Sequence, residues 1–228
     1  FQDRENFCEE ITAQPSAGLD QIMENTLNSD WIGFSKEGKT NFMYGASWMT
    51  SNREVQFLKS MASMNNSKRA LEVGLFTGCG ALAIAEALPA DGVVVSCEWD
   101  PFIAKLAREF LDKSEHGKKV DIRQGPANET CRKLGDEGQQ FDFIYMDANK
   151  DGYVEIYDII KEKNLLAPNG TIVADNALNY GTAYLDENSA MAKFNRHLLA
   201  DTSVHRIVLP IRDGVMIIRR NSDVNGAV

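Results

Sequence analysis

Short apolar runs alternate with helical patterns from residue 68 to residue 219 of this 228-residue chain. The run Gly92–Cys97 (GVVVSC) is continuous and β-branched, as expected for a parallel strand buried on both faces. Five strand–helix units in succession predict an α/β fold, in which helices cover both faces of a mostly parallel sheet. Pro210–Gly214 separates the last two strands and predicts a hairpin that places one antiparallel strand at an edge of the sheet.

The pattern predicts seven strands and five helices. The strands are residues 70–73, 92–97, 120–123, 141–146, 171–174, 205–209 and 215–219. The helices are residues 81–88, 101–111, 129–134, 153–163 and 190–199. Ligands of such sheets bind beyond the carboxyl ends of the strands, so the candidate site is sought in the residues that follow each strand.

Residues 1–57 lack this alternation and combine loose helical spacing with a polar, aromatic stretch. A segment of this size with few large aliphatic side chains would form only a marginal core of its own. We therefore interpret residues 1–57 as an N-terminal helical cap or lid. Residues 58–222 would form the main domain, and residues 223–228 would form a tail.

The charge balance and the cysteine spacing exclude several classes of function. The chain has 24 basic and 33 acidic residues, a formal charge of −9 that disfavours nucleic-acid binding by a broad basic face. Its apolar runs are far shorter than the roughly 20 residues that a membrane helix needs. Four scattered cysteines without a CxxC pair predict reduced thiols and a cytoplasmic protein.

A glycine-rich turn follows the first predicted strand. Gly74, Gly78 and Gly80 lie between that strand and the next helix, where glycines allow a tight turn and close approach to a ligand. Their GxxxGxG spacing differs from the GxGxxG spacing of dinucleotide pyrophosphate sites, and the lysine of nucleotide phosphate loops is absent. A purely structural turn remains the alternative.

An acidic residue, Glu98, follows the second predicted strand. An acid about 20 residues beyond such glycines can accept hydrogen bonds from ribose hydroxyls. Asp100 precedes Pro101 and is better suited to cap the following helix. We therefore assign Glu98 to a ribose, and together with the glycines it predicts a nucleoside ligand.

Two further strands are each followed by polar residues that suit a hard cation. Asp147 follows the fourth strand, and Asp175 and Asn176 follow the fifth. If these strands are neighbours, the side chains form an all-oxygen set that suits Mg²⁺, Mn²⁺ or Ca²⁺. Lys150 lies three residues beyond Asp147, and a bound cation would lower its pKa so that it could act as a general base. Alone, each residue could also be a solvated loop residue or a helix cap.

Five segments occur in one order between residues 48 and 220. They are Glu72–Gly78 (EVGLFTG), Gly125–Ala127 (GPA), Met146–Tyr153 (MDANKDGY), Asp175–Asn176 (DN) and Leu209–Gly214 (LPIRDG). Together they resemble the cation-dependent O-methyltransferases, the family that includes the caffeoyl-CoA and catechol types. This resemblance implies a class I methyltransferase (Rossmann-like) fold with a seven-stranded, mostly parallel sheet. It also implies S-adenosylmethionine and a divalent cation as cofactors, a small-molecule acceptor with two vicinal oxygens, and a homodimer.

The resemblance also assigns roles to individual residues. It implies Asp147, Asp175 and Asn176 as metal ligands, and Lys150 together with Asp147 as the catalytic residues. It implies that the cofactor is bound by Thr50, Glu72, Gly74, Leu75, Gly78, Gly80, Glu98, Trp99, Ala127 and Asp147.

Two departures from the family pattern concern the cofactor and acceptor regions. Cys79-Gly80 replaces a common Tyr-Ser pair, which removes a side-chain hydroxyl, and Asn179-Tyr180 replaces the Trp-Asn of the plant enzymes. The segments Ala81–Gly92 and Val208–Gly214 are more similar to the O-methyltransferases of mycosporine-type sunscreen synthesis, which methylate an enolic vicinal hydroxyl of a cyclohexenone.

Other functions are consistent with parts of the pattern. A nicotinamide-dependent oxidoreductase would share the sheet, but the glycine spacing and the paired acids disfavour it. A binding protein that kept the fold without activity is disfavoured by the intact set Asp147, Lys150, Asp175 and Asn176. A nitrogen or protein acceptor is disfavoured by the same oxygen-rich set.

Overall fold

The computed structural model describes residues 2–225, which contain seven strands and eleven α-helices. The strands are β1 (Arg69–Val73), β2 (Val93–Glu98), β3 (Val120–Gln124), β4 (Phe141–Met146), β5 (Leu166–Ala174), β6 (Val204–Leu209) and β7 (Val215–Arg220). The helices are α1 (Gln2–Ile11), α2 (Ala17–Leu27), α3 (Trp31–Lys36), α4 (Asn52–Met64), α5 (Cys79–Ala87), α6 (Pro101–Leu111), α7 (Ala127–Asp136), α8 (Tyr153–Glu162), α9 (Thr182–Leu185), α10 (Ala190–Ala200) and α11 (Asn221–Val224). Short 3-10 turns cover Ala46–Trp48, Gly117–Lys119, Lys150–Gly152 and Asn179–Gly181.

The seven strands form one sheet in the order β3-β2-β1-β4-β5-β7-β6. The first five strands pair in parallel, and β7 is antiparallel to both of its neighbours. The predicted α/β fold with a seven-stranded, mostly parallel sheet is therefore confirmed. The prediction of an antiparallel strand at the edge is wrong, because β7 inserts between β5 and β6 and leaves β6 as the edge strand.

Most predicted elements differ from the structure by one or two residues at an end, and β5 differs by five. The turn expected before residue 171 belongs to β5, which begins at Leu166 and shifts its pairing register with β4. Asn169 accommodates this irregularity with a positive φ of 61°, which asparagine tolerates better than most residues. The helix expected over residues 129–134 is α7, and it is longer at both ends.

Apolar side chains cover the sheet on both faces. One core joins the sheet to α7, α8 and α10, and includes the fully buried Tyr153, Tyr157 and Phe194. The other joins it to α2, α4, α5 and α6, through residues such as Leu58 and Leu82. The sheet is therefore packed between two layers of helices, which hold its strands and the residues that follow them in place.

The N-terminal residues contribute to the second core. Leu19 and Ile22 of α2 and Val55 and Leu58 of α4 are buried in it, and the predicted boundary at residue 57 lies inside α4. The proposed role of residues 1–57 as a cap stays a prediction. All four cysteines are free thiols. Within residues 2–225, no helix combines the length and the apolar character needed to cross a membrane.

Candidate active site

The pairing register of three neighbouring strands creates the site. Val73 pairs with Met146, and Met146 pairs with Ala174, so β1, β4 and β5 end at the same level. Asp147 and Asp175 come directly after two of these strands. Their backbone amides donate to Val73 O at 2.8 Å and to Met146 O at 2.9 Å. The two carboxylates are thus placed side by side at the carboxyl edge of the sheet, as predicted.

One tyrosine hydroxyl contacts both carboxylates. The buried Tyr145 hydroxyl lies 2.8 Å from Asp175 Oδ2 and 3.3 Å from Asp147 Oδ2. Asp175 is only 3% exposed. Burial, followed by the nearby carboxylates of Asp147 and Glu54, raises the pKa of Asp175 well above its ordinary value. The site therefore brings two carboxyl groups together at a place where burial disfavours the charged form of Asp175.

Lys150 completes this group from the turn that precedes α8. Its Nζ atom donates to Asp147 Oδ1 at 2.8 Å and to the Tyr153 hydroxyl at 3.0 Å. Tyr153 in turn donates to Met146 O at 2.9 Å, which fixes its ring at the sheet edge. Burial alone would lower the pKa of Lys150, but the Asp147 carboxylate and the hydrogen bond to the Tyr153 hydroxyl raise it by a larger amount, so the net pKa lies above the ordinary lysine value. The lowered pKa expected with a bound cation stays a prediction.

Asn176 occupies the position beside Asp175. Its backbone has a positive φ of 57°, and its amide donates to Asp175 Oδ1 at 2.6 Å. This left-handed residue turns the chain away from β5 immediately after the acid. Asn176 is only partly buried and directly follows Asp175 in the chain.

Glycines allow the chain after β1 to pass close to the acidic group. Gly74 has a φ of +103°, and a Cβ atom there would lie 2.1 Å from Asp147 O. A Cβ atom on Gly80 would lie 2.4 Å from Glu72 Oε1. Gly78 has a φ of +96° and precedes α5. Gly74 and Gly78 are needed because their φ is positive, whereas Gly80 lies in the first turn of α5, and not before this helix as predicted, and lets it approach Glu72.

Two polar side chains are buried along this glycine turn. Glu72 accepts a hydrogen bond from Ser96, and burial raises its pKa well above the ordinary value. Thr77 Oγ1 is buried, and it has no hydrogen-bond partner in the described part of the chain. Leu75 is buried beside them and accepts from the Gly78 amide at 3.0 Å. The glycine turn therefore contains a hydroxyl, that of Thr77, that can form a hydrogen bond with a ligand.

Glu98 lies at the end of β2, on the other side of the glycine turn. Its carboxylate accepts from the Phe76 amide at 3.0 Å and from the Asp100 amide at 2.9 Å. Burial raises its pKa above the ordinary value. Asp100 caps α6, as predicted, by accepting from the Phe102 and Ile103 amides.

Three other predicted cofactor residues lie in separate segments. Trp99 is half exposed, and its ring centroid lies 5.2 Å from that of Phe42. Ala127 begins α7, and the Gly125 amide donates to Glu98 O at 2.8 Å, which draws this segment toward β2. Thr50 is almost buried and immediately precedes the N-cap of α4.

Several site residues were not among the sequence candidates. Tyr145 and Tyr153 contact the acidic group, Thr77 has a buried hydroxyl in the glycine turn, and Glu54 acts electrostatically on Asp175. Tyr145 lies in an apolar strand, so no pattern distinguished it from core residues. Glu54 could have been noticed, since Ser51 and Glu54 have the spacing of a helix capping box.

The sequence matches known methyltransferases over most of its length. The model of the O-methyltransferase family matches residues 35–221. A caffeoyl-CoA O-methyltransferase of Eucalyptus globulus is 33% identical over 76% of this chain and 75% of its own. Tricin synthase 1 of Oryza sativa subsp. japonica is 36% identical over 75% of this chain and 74% of its own.

Solved structures share the fold. A methyltransferase of Podospora anserina, bound to S-adenosylhomocysteine (SAH), has a TM-score of 0.79 at 27% identity, covering 96% of this chain and 94% of its own. An O-methyltransferase of Klebsiella pneumoniae, described as putative, has a TM-score of 0.78 at 23% identity, covering 96% of each chain. The chain belongs to the family of S-adenosylmethionine-dependent O-methyltransferases that includes the caffeoyl-CoA O-methyltransferases.

Proposed function

We propose that this protein is a divalent-cation-dependent O-methyltransferase that methylates one of two vicinal oxygens, a catechol or an enolic diol, on a small molecule. The observation that carries the proposal is the pair Asp147 and Asp175, which share the hydroxyl of Tyr145 at the carboxyl edge of the sheet. Asn176 follows directly and adds an amide oxygen.

The chemistry of this set suits a hard cation such as Mg²⁺, Mn²⁺ or Ca²⁺. Carboxylate and amide oxygens are preferred ligands of such ions. Burial raises the pKa of Asp175, the nearby Asp147 carboxylate raises it further, and a bound cation would offset that repulsion. We therefore assign Asp147, Asp175 and Asn176 as the ligands, with remaining positions open to water and acceptor oxygens.

The residues of the glycine turn suit S-adenosylmethionine. Gly74 lets the chain pass directly against Asp147 O, and Gly80 lets it pass against the Glu72 carboxyl, where no side chain would fit. Thr77 Oγ1 is buried nearby without a hydrogen-bond partner among the described residues. Glu98 uses one lone pair of each oxygen for backbone amides, which leaves capacity for ribose hydroxyls. We assign the remaining predicted contacts, Thr50, Glu72, Leu75, Gly78, Trp99, Ala127 and Asp147, to the same ligand.

The reaction requires removal of a proton from the acceptor and alignment of its oxygen with the methyl group. When bound, S-adenosylmethionine supplies the methyl group, and a divalent cation lowers the pKa of an acceptor hydroxyl. Lys150 Nζ is held beside Asp147 and Tyr153, where its ammonium can stabilise the oxyanion that forms. With its pKa lowered by a bound cation, the same group could receive the acceptor proton. Asp147 therefore orients the catalytic lysine in addition to its role as a ligand.

The family relationship supports the remaining assignments. Caffeoyl-CoA O-methyltransferases and a tricin synthase are among the relatives, which favours a small acceptor with adjacent oxygens. We propose a cytoplasmic homodimer, and within the family an enolic acceptor of the mycosporine type.

Mass spectrometry of methyl transfer from S-adenosylmethionine tests this function. The acceptors would be simple catechols, caffeoyl-CoA and cyclohexenone enols, each assayed with Mg²⁺ and with EDTA. We expect a gain of one methyl group on at least one vicinal-oxygen acceptor, and loss of that product with EDTA. Transfer that is unaffected by EDTA would contradict the cation mechanism.

A further inference from the structure

The turn between β6 and β7 contains an arginine in a conformation that favours glycine. Arg212 has a φ of +47°. Of the other non-glycine residues with positive φ, most are asparagines, which tolerate this region better. A branched or long side chain persists in such a conformation where the surrounding structure fixes it. The contacts of the guanidinium show what fixes Arg212.

The Arg212 side chain reaches the segment before α4. Its Nη1 atom donates to Met49 O at 3.0 Å, and its Nη2 atom donates to Ser47 O at 2.9 Å. We call Ser47–Ser51 the cover segment, because it includes Thr50, the proposed cofactor contact. Two backbone carbonyls of this segment are thus held by one planar guanidinium.

The same guanidinium neutralises a buried carboxylate. Arg212 Nη1 lies 2.9 Å from Glu54 Oε2, and Glu54 is only 2% exposed. Glu54 Oε2 also accepts from the amide and the hydroxyl of Ser51, each at 2.8 Å. Its Oε1 atom has no hydrogen-bond partner in residues 2–225. Arg212 is therefore the cation that pairs with Glu54 where the cover segment enters α4, and a buried charge of this kind depends strongly on its partner.

The opposite side of the turn holds the chain that follows Asp175 and Asn176. Asp213 Oδ1 accepts from the Tyr180 amide at 2.7 Å, and Asp213 O accepts from the Leu178 amide at 2.9 Å. Gly214 O accepts from the Ala177 amide at 2.8 Å. One tight turn therefore contacts the cover segment through Arg212 and the chain beyond Asn176 through the next two residues.

We propose that Arg212 is a positioning residue that preorganises the cover segment for cofactor binding and ties it to the acceptor side of the site. This inference rests on the proposed function, since it takes Thr50 as a cofactor contact. A segment already held in its binding conformation avoids an ordering cost when the ligand binds. Without Arg212, that cost would be added to each binding event.

The test measures SAH binding by calorimetry in wild-type protein, Arg212→Gly and Arg212→Lys. Glycine suits the positive φ, so the backbone of the turn is retained while the guanidinium is lost. We expect Arg212→Gly to weaken binding about tenfold. Arg212→Lys should recover part of the affinity, because an ammonium can reach only some of the acceptors that the planar fork contacts. Arg206→Ala is the matched control, since Arg206 donates to Leu199 O and Asp201 O away from the site.

A second measurement separates positioning from general stability. In ligand-free protein, amide hydrogen exchange at Met49, Thr50 and Ser51 should be faster in Arg212→Gly and unchanged in Arg206→Ala. SAH affinity of Arg212→Gly within twofold of wild type, or unchanged exchange in the cover segment, would overturn the inference. Failure of the wild-type protein to bind SAH would instead contradict the proposed function.

Discussion

The buried hydroxyl of Tyr145 donates to Asp175 at 2.8 Å, from the strand next to the one that carries this acid. The same hydroxyl lies 3.3 Å from Asp147 Oδ2, so Tyr145 lies between the two carboxyl groups. Strand β4 therefore contributes two residues to the site. They are Tyr145, which lies within the strand, and Asp147, which follows it.

We expect Tyr145→Phe to lower both stability and activity. The change removes a hydrogen bond to a buried carboxylate, which should decrease the free energy of unfolding by about 1–3 kcal/mol. Tyr157→Phe is the control, because its hydroxyl donates to Asp201 at 2.7 Å outside the site. Urea unfolding should show a loss in both variants, whereas only Tyr145→Phe should lose methyl transfer. Full turnover by Tyr145→Phe would show that the carboxylates do not need this hydroxyl.

Replacement of Lys150 by methionine should lower kcat while cofactor affinity is retained. Loss of a positioned acid–base group typically costs about 100-fold or more in rate. Lys161→Met is a matched control, since Lys161 also lies over a tyrosine ring and pairs with an aspartate, Asp201. Steady-state kinetics and SAH calorimetry would separate the two effects. An unchanged kcat in Lys150→Met would remove this lysine from the mechanism.

Gly74→Ala should destabilise the protein far more than Gly38→Ala. Both glycines have positive φ, so alanine at either site incurs about 1–2 kcal/mol of backbone strain. Only at Gly74 does the new Cβ meet backbone, at 2.1 Å from Asp147 O, whereas nothing lies within 4 Å at Gly38. We expect Gly74→Ala to lose about 3 kcal/mol or more of the free energy of unfolding. Equal losses in thermal unfolding would indicate that strain alone matters.

Acid should remove the stability that Asp201 contributes. Burial alone would raise the pKa of Asp201, but hydrogen bonds from Lys161, Ser203 and Tyr157 lower it by a larger amount. The net pKa therefore lies below the ordinary value. A depressed pKa in the folded state gives stability that is present above the unfolded pKa of about 3.9 and is lost as pH falls toward the folded value. The stability difference between wild type and Asp201→Asn should therefore be largest near pH 7 and shrink below about pH 4. A difference that stays constant on acidification would contradict this assignment.

The sequence predicted the parts of the fold and site that depend on local pattern. Continuous β-branched runs marked the strands, and the common level of parallel strand ends brought Asp147 and Asp175 together as expected. The position of β7 was not predictable in this way, because a hairpin can pair with the edge of a sheet through either of its two strands. Local pattern specified the hairpin but not which of its strands pairs with β5.

Contacts between distant segments were also beyond sequence reasoning. Arg212 and Glu54 are separated by 158 positions, and the left-handed backbone of Arg212 carries no sequence signal because arginine rarely adopts it. The contact of the Tyr145 hydroxyl with the acids was not predictable either, because Tyr145 lies in an apolar strand and has the pattern of a core residue. In both cases the role depends on the tertiary neighbours of a side chain and not on its local pattern.

Direct measurement of cation binding tests the central claim, that Asp147 and Asp175 hold the ion on which methyl transfer depends. Mn²⁺ would be titrated into SAH-bound protein and followed by paramagnetic resonance, with Asp147→Asn and Asp175→Asn as variants. We predict one saturable Mn²⁺ site in the wild-type protein that Mg²⁺ displaces, and loss of that site in both variants while SAH is still bound. Mn²⁺ binding of equal strength in the wild type and both variants would contradict the account.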